Sequence, residues 1–275
     1  MLLATIKVLL FFMIAIYATL VALLYLRQEQ ILFVSTPLPA ERKHAFASYE
    51  WALRHGDVTL KGWYVPHRPQ DPKPLIIYYG GNAEEVSETF VDRYKLHANG
   101  FLFMNYRSYG ESTGRPSESA LFSDALFVYD KLIEKAGLSP QQIVLMGRSL
   151  GTGVATYVAR HRVVRSVILV TPYDSLVEVA RHNYSWAPVR WLLKNPFNSV
   201  GLAPQIQEPM LNIMASGDTL IPVSHAQNLA KAWSGPVTSV TLEGAGHGDI
   251  NGYDEYWNSI NRFLDQTEIQ PLRLR

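Results

Sequence analysis

The chain has 275 residues, of which 48% are hydrophobic and 18% charged, with a formal net charge of +1. That is apolar material enough for a sizeable core, and the length suits one large α/β domain. The near-neutral charge gives no field for gripping nucleic acid, and the lysines and arginines form no basic run. The sequence has no cysteine, which excludes disulfides, thiolate catalysis and thiolate metal sites.

Residues 8–26 run without a charge, and residues 1–6 before Lys7 are apolar too. A stretch of about 20 apolar residues matches the hydrocarbon thickness of a bilayer. Arg27-Gln28-Glu29-Gln30 ends it abruptly. Residues 1–30 read as an uncleaved transmembrane anchor. The competing reading, a removed signal peptide, needs a small-x-small cleavage site where the large and charged Tyr25-Leu26-Arg27 stand. A buried soluble helix fits least, because no polar face interrupts the run. Lys7 lies on one side and Arg27, Arg42 and Lys43 on the other, so the positive-inside rule leaves the side of the membrane open.

Residues 31–48, with Pro37 and Pro39, read as an irregular linker leading off the membrane. Residues 49–53 and 58–65 read as strands joined by the turn signal His55-Gly56-Asp57. Residues 75–79 form a buried strand ending in Gly80-Gly81-Asn82-Ala83, after which a helix is expected from Glu84. Residues 101–105 are the next strand. Residues 117–135 are helical, with Leu121, Ala125, Val128 and Leu132 on one face. Strands follow at 143–146, 167–170, 210–214 and 237–242, and a helix at 253–264 carries the stripe Tyr253, Trp257, Ile260, Leu264. Strands alternating with helices predict a mostly parallel sheet covered on both faces, with an antiparallel hairpin at its start.

The strand at 143–146 runs into Gly147-Arg148-Ser149-Leu150-Gly151, a G-x-S-x-G match, and a helix-compatible segment follows at 152–160. Strand, sharp turn and helix are the context of a nucleophile elbow. The serine hydroxyl projects clear of the sheet, and the glycines remove side chains that would collide with neighbours. The backbone N–H of Leu150 lies at a helix N-terminus, where it can stabilise an oxyanion. A serine hydroxyl needs a base held by a third group. Asp218 follows the strand at 210–214 and His247 follows the strand at 237–242, giving the order Ser, Asp, His. His247 is expected as the base and Asp218 as the group that orients it, with Asp174 as the nearest rival acid. Taken singly, Asp218 could be a turn residue and His247 a surface histidine; their joint order argues for the catalytic roles.

These features, over residues 49–264, resemble the α/β-hydrolases, in particular single-pass membrane-anchored serine hydrolases related to serine aminopeptidase-like lipases and esterases. The resemblance also rests on Asn105-Tyr106-Arg107-Ser108-Tyr109-Gly110-Glu111-Ser112, on Gly217-Asp218-Thr219-Leu220-Ile221-Pro222 and on Gly246-His247. It implies the α/β-hydrolase fold, a domain over residues 49–268 with a cap at about 174–208, and a tail at 269–275. It implies a second oxyanion donor in the backbone N–H of Asn82. Three positions depart from the family pattern: Gly80 stands in place of a histidine, Asn105 in place of an aspartate and Ser108 in place of a glycine.

Within the cap, Tyr184, Trp186, Trp191, Leu192, Leu193 and Phe197 suggest an apolar acyl-binding wall, or simply cap packing. Arg181, His182, Arg190 and Lys194 face either anionic head groups or water. There is no H-E-x-x-H, G-x-G-x-x-G or P-loop, and the reading calls for no cofactor and no metal. The expectation is a membrane-anchored serine hydrolase cleaving carboxylic esters or thioesters of a lipid-like or acylated substrate. A peptidase on the same triad is the second reading, for which Asp174, Glu178 and Glu208 are the acidic groups available to hold an amino terminus. A non-catalytic binding protein on this fold is the third.

Overall fold

The computed structural model describes residues 1–68 and 71–266, so the 269–275 tail expected above lies outside the described residues. Its centre, among the described residues, is an eight-stranded sheet in the spatial order β1 (Glu50–His55), β2 (Val58–Val65), β4 (Gly100–Met104), β3 (Leu75–Tyr79), β5 (Ile143–Arg148), β6 (Ser166–Val170), β7 (Met210–Ala215), β8 (Val237–Leu242). The hairpin of β1 and β2 is antiparallel, and β2 also pairs antiparallel with β4. Every other pairing is parallel: β3 with β4 and with β5, then β6, β7 and β8 in succession.

The continuous apolar runs are explained by burial on both faces. In β3, Leu75, Ile77 and Tyr79 enter one core layer and Ile76 and Tyr78 the other. Removing each such side chain from water stabilises the fold by roughly 1.5–3 kcal/mol before chain entropy is counted. The first layer is closed by α4 (Glu118–Ala136), α5 (Leu150–His161) and α9 (Val223–Ala232), through Leu121, Val128, Val154, Val158 and Leu229. The second is closed by α10 (Asp254–Gln266) and the single turn α3 (Ser87–Phe90), through Tyr256, Ile260, Phe263 and Phe90. In α4 the start is set by Ser117, whose hydroxyl accepts from the Ala120 N–H at 3.2 Å, and the end by Gly137 at φ +61°.

Three parts of the chain differ from the sequence expectation. No long helix begins at Glu84; Glu84 and Glu85 are buried acceptors instead, and only α3 forms. Helix α9 has no counterpart in the sequence reading, because its buried stripe is carried by His225, Ala226 and Leu229, a weak apolar signal. Residues 31–36 do more than connect. Phe33 is buried against Phe197, the Val34 N–H donates to Asn82 Oδ1 at 2.8 Å, and Thr36 Oγ1 donates to the Ala83 carbonyl at 2.7 Å. A short helix, α2 (Ala40–Ala45), follows.

The N-terminal helix α1 runs unbroken over Leu2–Leu32, so at 1.5 Å per residue it is about 46 Å long. No residue of its most apolar stretch is buried. Between β6 and β7 the chain leaves the sheet as α6 (Leu176–Asn183), α7 (Val189–Leu192) and α8 (Ser199–Leu202), the position expected for a cap. The sheet order places the site. From β3 the chain first steps outward to β4 and then returns to β5 on the other side of β3. Strand order therefore reverses between β3 and β5, and the crevice beyond their carboxyl ends is where a ligand site is expected in such sheets.

Candidate active site

At that crevice β5 ends and Ser149 turns the chain into α5 with φ +49° and ψ −117°, a sparsely populated conformation for a residue with a side chain. The turn is held because its neighbours are glycines. A Cβ on Gly147 would lie 2.4 Å from the Gly151 carbonyl oxygen, and one on Gly151 only 2.0 Å from that of Tyr79. The Ser149 N–H donates to the Val170 carbonyl at 2.9 Å, fixing the elbow to β6.

The three residues expected from the sequence converge. His247 Nε2 is 2.9 Å from Ser149 Oγ, and His247 Nδ1 is 2.6 Å from Asp218 Oδ2. The Asp218 side chain is 1% exposed and that of His247 is 21% exposed. Asp218 Oδ1 accepts from the N–H groups of Leu220 and Ile221, at 2.9 and 2.8 Å. One carboxylate oxygen is thus saturated by its own loop, and the other is left to face the imidazole. The carboxylate calls for an N–H at Nδ1, which leaves the Nε2 lone pair toward the serine. The two loops are joined by the Gly217 N–H, which donates to the Ala245 carbonyl at 2.8 Å. Asp249, close to His247 in sequence, accepts from the Gly246 N–H at 2.7 Å and shapes the loop.

Asp174, the rival acid, is engaged elsewhere. Its Oδ1 lies 2.8 Å from His225 Nδ1 and its Oδ2 accepts from Asn228 at 3.1 Å, tying the start of the cap to α9. Burial pushes its carboxyl up, but His225, Asn228 and the Ser175 N–H outweigh it and hold the group below the usual carboxylate range.

Leu150 opens α5, so its N–H belongs to the first turn, which has no partner within the helix. Asn82 follows β3 on the loop facing the elbow, and a Cβ on Gly81 would lie 3.6 Å from Ser149 Cβ. Two residues that the sequence reading passed over hold this loop. Glu84 Oε2 accepts from the Gly81 N–H at 2.7 Å, while Oε1 accepts from Tyr78 at 2.8 Å and Thr89 at 2.6 Å. Arg148, the variable residue of the G-x-S-x-G match, lies with Nη1 3.9 Å from Glu84 and donates through Nη2 to the His247 and Gly248 carbonyls at 3.4 and 3.3 Å. Burial opposes the Arg148 charge, but Tyr78 and Glu84 more than offset it. Burial, with Glu84 adding to it, also lifts the Tyr78 and Tyr106 phenols well above their ordinary range. Both therefore stay donors, Tyr106 to the Gly80 carbonyl at 2.9 Å. An acid just after a glycine loop, Glu84 after Gly80-Gly81-Asn82-Ala83, was the available signal.

The departures from the family pattern have local reasons. Asn105 accepts from the Val86 N–H at 3.1 Å and donates to Glu85 at 2.7 Å; an aspartate there would set a carboxylate against a carboxylate. Ser108 sits at φ +68°, a left-handed position that glycine adopts without strain. Gly80 carries its carbonyl to Tyr106, and the loop is braced by Glu84 with no side chain at position 80.

A cleft of about 250 Å³ opens beside Ser149 and Leu150. Its lining is mostly aliphatic and includes Leu176, Val179 and Leu193 of the cap, Leu220, and Leu24 and Ile31 of α1. The expected cap wall divides. Tyr184, Leu192 and Leu193 line the cleft, Phe197 is buried in the core, and Trp186 and Trp191 face outward, 47% and 89% exposed. Of the cap cations, Arg181 and Arg190 pair with Glu178, and Lys194 Nζ sits 4.5 Å above the Tyr25 ring.

Comparison with known proteins agrees with this architecture. A family model described as "Serine hydrolase" matches residues 129–266, a span that contains Ser149, Asp218 and His247. An uncharacterized protein of Mycobacterium tuberculosis is 32% identical over 77% of each chain. The α/β-hydrolase domain-containing protein WAV2 of Arabidopsis thaliana is 24% identical over 90% of each. Among solved structures, the Pyrococcus furiosus esterase Pf2001 superposes with a TM-score of 0.66 at 17% identity, covering 86% of this chain and 98% of its own. Est1E of Butyrivibrio proteoclasticus, solved with ferulic acid bound, gives 0.62 at 16% identity, covering 78% and 96%. The chain belongs to the serine hydrolase family. It is an enzyme of the α/β-hydrolase superfamily, with the fold that those esterases share.

Proposed function

We propose that the protein is a membrane-anchored serine hydrolase that cleaves carboxylic esters or thioesters of lipid-like or acylated substrates through an acyl-enzyme. The observation that carries this reading is the Asp218–His247–Ser149 hydrogen-bond chain, at 2.6 and 2.9 Å, opening onto an aliphatic cleft. Ser149 Oγ attacks the acyl carbonyl while His247 Nε2 takes its proton, and Asp218 stabilises the imidazolium that forms. The N–H groups of Leu150 and Asn82 hold the oxyanion. His247 then protonates the leaving alcohol or thiol, and water attacks the acyl-enzyme by the same route in reverse. In this reading residues 1–30 are the anchor and residues 49–268 the hydrolase domain, residues 267 and 268 lying outside the described ones.

The peptidase alternative needs acidic groups free to bind an amino terminus. Asp174 is held by His225 and Asn228, Glu178 pairs with Arg181 and Arg190, and Glu208 Oε2 accepts from the Gln207 N–H. The aliphatic cleft favours an acyl chain over a charged terminus.

The test is fluorophosphonate labelling of the full chain beside Ser149→Ala and His247→Ala, followed by p-nitrophenyl esters of increasing acyl length. Labelling lost in both variants, with ester turnover by the parent, supports the reading. A folded parent that neither labels nor turns over any ester rules it out in favour of a binding role.

A further inference from the structure

The end of α1 is part of the cleft. Leu24, Tyr25, Gln28, Ile31 and Leu32 line it together with Ser149 and the cap. The contact is specific. Gln28, only 9% exposed, donates through Nε2 to the Leu192 carbonyl at 3.1 Å and accepts through Oε1 from the Lys194 N–H at 2.8 Å. Asn82 Nδ2 donates to the Ile31 carbonyl at 3.1 Å, so the last turn of α1 is bonded to the loop that carries the Asn82 N–H.

The level of the membrane follows from the same helix. The cap meets α1 from Tyr17 onward and carries the exposed cations Arg181 and Arg190, which do not belong in hydrocarbon. The crossing part of about 20 residues is therefore drawn from residues 2–21, shifted toward the N-terminus from the charge-free run at 8–26, with Lys7 snorkelling to the nearer head groups. One turn inside the C-terminal end of that span, Tyr17 donates to the Trp186 carbonyl at 3.1 Å, and the two rings meet edge to face at 6.4 Å. The cap tip is therefore held at the depth of the bilayer edge. There Trp186, Trp191 and Leu220 stand 47%, 89% and 49% exposed. Tryptophan belongs at that depth, its ring apolar and its N–H wet. Leu24 and Leu220 put the cleft between the lipid boundary and the serine.

We propose that the cap tip inserts into the bilayer interface beside α1, and that the cleft between α1 and the cap receives the substrate's acyl chain directly from the lipid phase. This rests on reading α1 as a membrane span and Ser149 as the acyl acceptor. The end of α1 then serves as a wall of the acyl site, and Leu24 and Ile31 set the chain length accepted.

The full chain is reconstituted in phosphatidylcholine vesicles carrying a phosphatidylcholine with a diazirine in its acyl chain, illuminated, and mapped by mass spectrometry. Adducts are expected on residues 2–20, on residues 184–193 and on cleft residues of α6. In Leu24→Trp and Ile31→Trp the α6 adducts fall at least fivefold while those on residues 2–20 persist. Adducts confined to residues 2–20 overturn the proposal. Adducts absent even there overturn the membrane reading and the proposal with it. In parallel, both variants lower the ratio of kcat/KM for p-nitrophenyl laurate over p-nitrophenyl acetate at least tenfold; an unchanged ratio overturns the role of α1. If the parent hydrolyses neither ester, the esterase reading fails by itself, and the adduct pattern still decides the lipid route.

Discussion

The elbow and the cap bound the same cleft but are held in different ways. Around Ser149 the constraints are backbone-tight: the clearances at Gly147 and Gly151 are those of backbone against backbone, and the Ser149 N–H is bonded to the Val170 carbonyl. On the cap side each link joins distant parts of the chain, Gln28 to Leu192 and Lys194, Asn82 to Ile31, Asp174 to His225. Those links are side-chain hydrogen bonds, one or two at each residue, each contributing on the order of 1 kcal/mol. In the proposed reading, the chemistry is mounted on the tightly packed side and substrate selection on the side held by fewer and weaker links.

Substitutions can break each side in turn. The largest effect is expected at the reacting groups, where Ser149→Ala or His247→Ala lowers kcat by about 10⁴-fold or more, and the double variant loses little beyond either single one. Additive losses in steady-state kinetics would show that the two do not act as a unit. Gly151→Ala comes next. Its Cβ would overlap the Tyr79 carbonyl, so destabilisation of about 3 kcal/mol or more is expected by denaturant unfolding.

Glu84→Gln keeps the shape but removes the charge beside Arg148 and the Gly81 N–H. A fall in kcat of roughly tenfold with KM little changed is expected, since in the proposed mechanism the loop it braces holds the oxyanion of the transition state. A matching rise in KM instead would place Glu84 in ground-state binding. Gln28→Ala should cost about 1–2 kcal/mol, confined to the α1–cap contact and read as faster limited proteolysis of residues 176–193 with the elbow unaffected.

The smallest effect sharpens the comparison through pH. The Asp174 carboxyl is held below its ordinary range in the folded chain. Its contribution to cap docking is therefore fully present above the unfolded pKa of about 4 and is lost as pH falls through the folded value. Cap proteolysis should accelerate below about pH 4 in the parent, and Asp174→Asn should flatten that dependence. An identical acid limb in the variant would assign it to another group.

Much of the tightly packed side was legible in the sequence. The parallel strands announce themselves as unbroken apolar runs because both faces are buried, and the elbow is readable because only glycine fits where backbones touch. The order Ser149, Asp218, His247 was readable because each residue follows its own strand, and the order of strands in the chain needs no knowledge of their order in space. Helix α9 was not legible, since alanines and a histidine carry its stripe, and neither was the single turn at α3.

What only the tertiary structure decided was which distant segments share the cleft. Local pattern marks residues 1–30 as an apolar helix and residues 31–48 as irregular chain, and nothing local says that Gln28 reaches Leu192 or that Ile31 and Val34 bond to Asn82. Local pattern likewise leaves open that Glu84 carries the Gly81 N–H and that Asp174, the rival acid, serves α9. Periodicity and turn chemistry act over a few residues and are written in the order of the chain. A cleft is made by segments far apart in sequence that buried polar groups require to meet, and that requirement is met only once the chain has folded.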